Sequence, residues 1–456
     1  MESDAPAPKR LAAVVSLGCA KNLVDSRILA EQLMELGYTL TSDQSQASLI
    51  IVNTCGFLES AVEESVDTIL EVSRWKDEGC CRRLIVTGCM VQRYGRKLAK
   101  ALPEVDCFLG TAYVHRLKEL VSDDPGRLSG GRVHIARPRS VPPEIGSCRV
   151  SDGSGASVYL RIADGCNNRC SFCMIPRLRG PLRSRPVEAV LREAERLVEA
   201  GAVEINLIAQ DITAYGTENG GPMVLMDLLE GLELLSGLQW VRLLYVYPEG
   251  MTDEILTFMQ NSQKIVPYLD IPLQHCVPHL LRAMRSRAPN LGAERLVERI
   301  RSAIPDVALR TTLMVGFPGE TEKDFEALMA FVRNVEFDHL GVFAFSPEPG
   351  TAAAHMPKPV PVEERRQRRE RLLAVQKGIS RSRLARHVGK TLPVLIEGYH
   401  PETDLLLRGR LESQAPEVDG AVLVTAGVAA AGRIVPVRIT RSHDYDLEGE
   451  IPVEGV

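Results

Sequence analysis

The chain has 456 residues, a formal net charge of −5 and 11 cysteines, and about three domains fit that length at roughly 150 residues each. A hydrophobic content of 45% excludes a disordered chain, and no apolar run approaches the roughly 20 residues that cross a bilayer. A charge this close to neutral also excludes a protein that coats nucleic acid by bulk attraction.

The start, 1–10, is polar and proline-bearing and lacks the apolar core of a signal peptide, which points to the cytoplasm. Thiols stay reduced there, so clustered cysteines read as metal or redox sites rather than disulfides. Region 9–123 then alternates strand and helix patterns. An apolar, β-branched run at 11–17 ends in Gly18-Cys19. A helix follows from Asp25, with Ile28, Leu29, Leu33 and Leu36 on one face, stopped by Gly37. A buried strand at 48–52 ends in Asn53-Thr54-Cys55, a helix occupies 59–75, and a strand at 84–87 ends in Gly88-Cys89. Strands alternating with helices predict a doubly wound parallel sheet in an α/β domain.

Residues 124–151 are rich in Gly, Pro and Ser and read as a linker with one candidate strand at 133–136. Periodicity resumes over 152–386. Six strands are predicted at 158–162, 204–209, 240–246, 268–271, 309–315 and 340–345, with helices such as 186–200 between them. Six βα units of this size predict a partial or closed α/β barrel. A helix at 363–386 carries nine basic residues against three acidic ones and ends this domain. Residues 387–456 turn to short strands (392–397, 405–410, 421–425, 434–440), which predict a small all-β barrel.

Cys166, Cys170 and Cys173 form C-x3-C-x2-C just after the first barrel strand. Three thiolates on a short loop suit three irons of a cubane 4Fe–4S cluster. The fourth iron is then open to the amino and carboxylate groups of S-adenosylmethionine, whose reductive cleavage gives a 5'-deoxyadenosyl radical. Structural zinc wants a fourth ligand, and none lies nearby in sequence. Cys19, Cys55 and Cys89 each lie just beyond the C-terminal end of a predicted parallel strand, the usual binding edge of such a sheet. Two readings of these three stand: convergent ligands of a second cluster, or buried cysteines acting as small hydrophobes. Cys80, Cys81, Cys107, Cys148 and Cys276 read as non-ligands.

Strand-end positions at a barrel's C-terminal rim are natural contacts for a bound cofactor. Gln210 and Asp211 are candidates for the ribose or amino group of S-adenosylmethionine. Gly316 and Gly319 either allow close backbone approach to the cofactor or form a plain turn before a helix, and Glu320 is either a further cofactor contact or an N-terminal helix charge. Gln274 and His275 have the mouth of the barrel or a hydrogen-bonded structural role as alternatives. His339, His355, His387, His400 and His443 are given no chemistry.

Over nearly its full length the chain resembles the radical S-adenosylmethionine methylthiotransferases. The resemblance rests on Ser16-Leu-Gly-Cys-Ala-Lys-Asn-Leu-Val-Asp-Ser26, Asn53-Thr-Cys-Gly-Phe57, Thr87-Gly-Cys-Met90 and Arg161-Ile-Ala-Asp-Gly-Cys-Asn-Asn-Arg-Cys-Ser-Phe-Cys173. Ala209-Gln-Asp-Ile-Thr-Ala-Tyr-Gly216, Tyr268-Leu-Asp-Ile-Pro-Leu-Gln-His275 and Val315-Gly-Phe-Pro-Gly-Glu-Thr321 extend it, and the C-terminal barrel resembles a TRAM domain. Cys19 is followed by Ala20-Lys21-Asn22, the form of the RimO-type branch, which acts on an aspartate of small-subunit ribosomal protein twelve; tRNA-modifying relatives usually carry Gln-Met-Asn there. Arg27, Ile212 and Cys276 depart from the family's usual residues without touching an inferred ligand.

The resemblance implies two 4Fe–4S clusters: a radical-generating one on Cys166, Cys170 and Cys173, and an auxiliary, sulfur-carrying one on Cys19, Cys55 and Cys89. It implies two S-adenosylmethionine molecules, one donating a methyl group and one giving the radical that takes hydrogen from the aspartate β-carbon. It places Phe172 beside the adenine and calls for an electron donor such as flavodoxin or ferredoxin. The last 69 residues hold eleven acidic against six basic residues, a balance of −5. That charge suits a basic protein partner, free or within the ribosome, better than tRNA. The basic helix either touches ribosomal RNA or braces two domains.

Overall fold

The computed structural model describes residues 10–121, 131–139, 155–218, 224–286 and 292–452. Most of the linker read at 124–151, Cys148 included, lies outside them. The chain divides into two compact units. One is Met1–Val150 with Ala163–Asn167 and Met174–Ser184; the other is Ser151–Ile162 with Asn168–Cys173 and Arg185–Val456.

The first unit is built on a parallel sheet: β1 (Leu11–Ser16), β2 (Thr39–Leu40), β3 (Leu49–Thr54), β4 (Arg83–Gly88), β5 (Cys107–Leu109) and β6 (Val133–His134), in the order β2-β1-β3-β4-β5-β6. Every residue of β3 and β4 is buried, as expected of central strands covered on both faces. Ile50, Val52, Ile69, Val72, Leu84, Val86 and Phe108 anchor one core layer. The candidate strand at 133–136 is the sixth strand of this sheet rather than an isolated linker strand. The first helix differs from expectation: it spans Ala20–Glu35 and starts directly after Cys19, its N-cap. Its first turns bury Lys21, Asn22, Asp25 and Ser26, so the apolar period that marks a helix in sequence begins only at Ile28. A two-stranded ribbon, β7 (Ala163–Asp164) with β8 (Arg183–Ser184), completes the unit.

The second unit contains six parallel strands: β9 (Ser157–Arg161), β10 (Glu204–Ile208), β11 (Trp240–Leu243), β12 (Ile265–Asp270), β13 (Ala308–Val315) and β14 (His339–Ala344). They pair strictly in sequence order from β9 to β14, an open (βα)6 partial barrel. The C-terminal domain is a closed barrel of β15 (Thr391–His400), β16 (Thr403–Leu411), β17 (Val422–Ala426), β18 (Ile434–Ser442) and β19 (Leu447–Glu450). Four of these strands match the expected positions. The fifth, four residues carrying Gly and two Glu, has too weak a pattern to be read as a strand.

The C-terminal barrel packs on the N-terminal end of the partial barrel. Polar side chains near the starts of the parallel strands meet the segment after β16. The Tyr159 hydroxyl donates to the Pro416 carbonyl and Arg242 to the Glu412 carbonyl (2.6 Å). Tyr268 donates to Asp419 (2.8 Å), and Arg310 pairs with the same carboxylate at 3.3 Å. His339, at the start of the edge strand β14, lies against Ser413 and Asp419 in this junction.

The basic helix, Val362–Ala385, braces these two domains. Arg368 reaches Glu320, Arg371 reaches Glu322 and Glu326, and Arg383 reaches Asp338 on the parallel-barrel side. Lys377 and Arg381 reach Asp444 on the other.

Candidate functional site

The three N-terminal cysteines come together because their strands are neighbours in register. Ser16 faces Asn53 and Asn53 faces Thr87 across β1, β3 and β4, so Cys19, Cys55 and Cys89 leave three adjacent strands at one edge. Two glycines let the loops close. Gly18 has φ +93, and a Cβ there would stand 2.8 Å from Cys55 Cβ and 3.2 Å from its Sγ. A Cβ on Gly56 would stand 2.6 Å from the Met90 backbone nitrogen.

Asn22 ties the three loops. Its Nδ2 donates to the Leu17 carbonyl (2.9 Å) and the Thr54 carbonyl (3.0 Å), just before Cys19 and Cys55. Its Oδ1 lies 4.0 Å from Cys89 Sγ. Asn53 Nδ2 donates back to the Asn22 carbonyl and to Ser26. Oδ1 of Asn22 also accepts from the Arg179 guanidinium at 2.6 Å, and Arg179 pairs with Asp25 at 2.8 Å. Burial pushes the Cys55 thiol up, and the Cys89 thiol up to about 12, with Arg179 opposing both shifts. Thiolates in this pocket therefore require positive charge.

Among the described residues, no three His, Cys, Asp or Glu side chains close around a single metal ion. A cubane cluster is larger and binds each thiolate to a different iron, so its ligands stand farther apart. Three thiols, a converging amide and a buried cation are a donor set that suits such an anion, and Cys89 with Phe57, Met174 and Leu178 supplies an apolar wall. The sequence marks the three cysteines but not the clamp: Asn22 and Asp25 lie inside the first motif, and Arg179 in the Arg179–Arg185 run, to which no motif points.

In the second unit, Cys170 and Cys173 lie on the rim formed by the C-terminal ends of the parallel strands. Cys166, Cys170 and Cys173 follow β9 within eight residues of chain. Asn168 donates to Asp211 Oδ2 (3.0 Å), and Asp211 Oδ1 accepts from Thr213 N and Oγ1. Both oxygens of Asp211 are thus engaged in fastening the cysteine loop and the turn after β10. The Tyr247 hydroxyl, beyond β11, lies 3.3 Å from Cys170 Sγ. Phe172 packs on a cluster that includes Leu280, Met284, Phe317 and Phe345.

Glu320 is fully buried. Its Oε2 accepts from Gly316 N (2.7 Å), its Oε1 from Arg368 (2.7 Å), and His275 Nε2 stands 3.8 Å away. It therefore braces the Gly316–Glu320 turn from behind. Burial pushes Glu320 up to about 7 and His275 down to about 4. His275 is neutral, with Nδ1 accepting from Val277 N. Cys276 has a thiol pushed up to about 12 by burial, as has Cys107 and, in direction, Cys81. Tyr245 (φ 61) and Gln274 (φ 67) hold left-handed backbone conformations at this same rim. Bulky residues rarely accept such conformations outside constrained sites.

The fold and the cysteine loop define a radical S-adenosylmethionine enzyme with flanking domains. Residues 160–332 match the Radical SAM superfamily, 11–110 the Uncharacterized protein family UPF0004, and 388–451 the TRAM domain. The chain is 57% identical to "Ribosomal protein uS12 methylthiotransferase RimO" of Syntrophobacter fumaroxidans, over 96% of this chain and 98% of that one. It is 48% identical to the protein of the same name from Geobacter sulfurreducens, over 97% and 99%. The chain belongs to the RimO methylthiotransferase family. Among solved structures it resembles the radical S-adenosylmethionine methyltransferase TsrM of Kitasatospora setae (TM-score 0.53, 15% identity, 73% of each chain). It also resembles the cobalamin-dependent radical enzyme OxsB (TM-score 0.51, 13% identity, 82% of this chain and 56% of that one). Identities this low speak for the fold alone.

Proposed function

We propose that this protein methylthiolates the β-carbon of an aspartate in ribosomal protein uS12. The observation that carries the reading is the convergence of Cys19, Cys55 and Cys89 on Asn22, in a chain that also bears the C-x3-C-x2-C loop. Cys166, Cys170 and Cys173 hold one 4Fe–4S cluster, and Cys19, Cys55 and Cys89 hold the second. When bound, the clusters and S-adenosylmethionine supply a radical, a methyl group and the sulfur.

The chain's own residues bind and orient these groups. The Asn168–Asp211 bond fixes the cysteine loop. Phe172 offers an apolar face to the adenine and Gln210 a polar one to the ribose or amino group; the N–H groups of Gly316 and Gly319 are engaged by Glu320 and Lys358, which leaves the carbonyls of that turn for the same cofactor. An unactivated C–H bond has no acidic proton, so placement and exclusion of water count for more here than acid–base catalysis.

The C-terminal barrel acts away from the reacting carbon, since it covers the strand ends opposite the rim. Part of its acidity is consumed internally: Asp419, Glu397 and Asp444 are paired with Arg310, Arg410 and Arg381. Glu402 and Asp404, beside the exposed Tyr399 and Leu405, remain on the surface of the β15–β16 hairpin. The reading calls for an electron donor protein such as flavodoxin or ferredoxin. A ribosomal substrate places the protein in the cytoplasm. Among the described residues no helix is long and apolar enough to cross a membrane.

Reconstituted protein, assayed anaerobically with S-adenosylmethionine and a reductant, should add one methylthio group to a uS12 peptide bearing the target aspartate. Modification of tRNA instead would sink the proposal, and absence of cofactor cleavage would favour a non-catalytic iron–sulfur protein. A Cys19→Ala, Cys55→Ala, Cys89→Ala protein should still cleave S-adenosylmethionine but not thiolate.

A further inference from the structure

Behind the three N-terminal thiols lies a charged residue that the reaction just described does not use. Arg179 is 2% exposed. It stands six residues after Cys173, on the helix-and-turn segment that folds into the N-terminal unit. Its guanidinium reaches Asp25 at 2.8 Å, Asp164 at 3.6 Å and Asn22 Oδ1 at 2.6 Å. Arg183 meets the same Asp164 at 3.3 Å, so carboxylates hold the guanidinium on the side away from the thiols.

Three thiolates on a cubane of charge 2+ would bring a net negative charge to this site, and one-electron reduction would add another. Cys19 is exposed, Cys55 half-buried and Cys89 buried, and on the buried side an anion needs a nearby cation far more than it does in water. The Asn22 amide lies between Arg179 and the thiols: its oxygen takes the Arg179 N–H, which turns its nitrogen toward Leu17 and Thr54. One guanidinium therefore both orients the clamp on the cysteine loops and supplies the positive charge behind it.

We propose that Arg179 is the positioning and charge-compensating residue of the auxiliary centre, retaining the cluster and raising its reduction potential. The inference rests on the reading of Cys19, Cys55 and Cys89 as cluster ligands. Asp25 acts in the opposite sense, holding the guanidinium while offsetting part of its charge. A Lys at 179 keeps the sign of the charge but not the fork that reaches Asn22 and Asp25 together.

The test uses full-length protein with Cys166, Cys170 and Cys173 replaced by Ala, so that iron can report only the N-terminal site. Iron content and an EPR-monitored redox titration are compared for this parent, Arg179→Gln, Arg179→Lys and Asp25→Asn. Arg179→Gln should lower the reduction equilibrium constant by on the order of tenfold, a negative shift of about 59 mV for one electron, and should lose iron to chelator faster. Asp25→Asn should shift the potential the other way, and Arg179→Lys should stay near the parent potential while losing iron faster. Opposite shifts are not expected of mere loosening of the fold. Should Arg179→Gln fail to fold, the positive shift of Asp25→Asn decides the matter. A cluster whose potential ignores both substitutions, or moves the same way in both, overturns the inference alone. A parent that binds no cluster overturns the ligand reading and the inference with it.

Discussion

Arg410 of the C-terminal barrel meets Glu204, at the start of β10, in a 2.5 Å salt bridge in which neither side chain is more than 1% exposed. Arg242 holds the other side of the same carboxylate at 3.0 Å. Two guanidiniums overcome the burial penalty and pull Glu204 down to about 2 from 4.5. A depressed folded pKa contributes stability above pH 4.5 that is lost as pH falls toward 2, about 3 kcal/mol in all. Glu204→Gln should cost about 3–5 kcal/mol at pH 7, because it leaves buried cations uncompensated, and should flatten the acid limb. Urea unfolding of the full chain from pH 7 to pH 3 checks both; equal midpoints for variant and parent at pH 7 would show that the pair does not join the two domains.

Gly18→Ala tests the convergence of the thiols. The backbone conformation at φ +93 costs a non-glycine residue about 1–2 kcal/mol, and the added methyl would stand 2.8 Å from Cys55 Cβ. The variant should stay folded, because its neighbours in β1 pair as before, yet bind iron only at the C-x3-C-x2-C loop. Iron per chain should fall by about half on reconstitution. Full iron content would mean that the three loops need not close as tightly as they do.

Much of this was legible in the sequence. Strand ends marked by Cys19, Cys55 and Cys89 fall where the parallel pattern puts them, since buried strands announce themselves as β-branched runs. The six barrel strands follow for the same reason. The clamp on the thiols was not legible, because Asn22, Asp25 and Arg179 are polar residues buried against one another, and apolar periodicity is silent about such contacts. Glu204, Arg242 and Arg310 pose the same problem: a strand pattern tells which face is inward, not that another domain's Arg410 and Asp419 cover its end. Whole-domain charge is equally silent about such contacts: it counts Asp419 and Asp444 as free acid although both are paired with cations of this chain.

Tyr247→Phe probes the radical-generating site. The hydroxyl lies 3.3 Å from Cys170 Sγ, and a hydrogen bond donated to a ligating sulfur raises a cluster's potential by stabilising the reduced form. Removing it should move that cluster's midpoint negative, with iron content unchanged. S-adenosylmethionine cleavage should then slow more with a weak reductant than with a strong one. An unchanged midpoint would assign Tyr247 to packing alone.

The Glu320–His275 pair predicts a pH signature with two limbs. Glu320 is raised to about 7 from 4.5, so the folded chain binds its proton where the unfolded chain has lost it. The stability it contributes is fully present below 4.5 and lost as pH rises through 7. His275 is lowered to about 4 from 6.5; its contribution is present above 6.5 and lost as pH falls through 4. Between 4.5 and 6.5 the two slopes oppose each other, and toward 7 only Glu320 still titrates. Glu320→Gln keeps a polar group near Gly316 N and Arg368 but has no proton to lose. Its stability relative to the parent should therefore improve from pH 5 to pH 8, by up to about 3 kcal/mol. Thermal unfolding across that range measures it. A difference that does not vary with pH would mean that Arg368, at 2.7 Å, keeps Glu320 ionised throughout, and the turn at Gly316 would then be braced by a carboxylate rather than by a neutral acid.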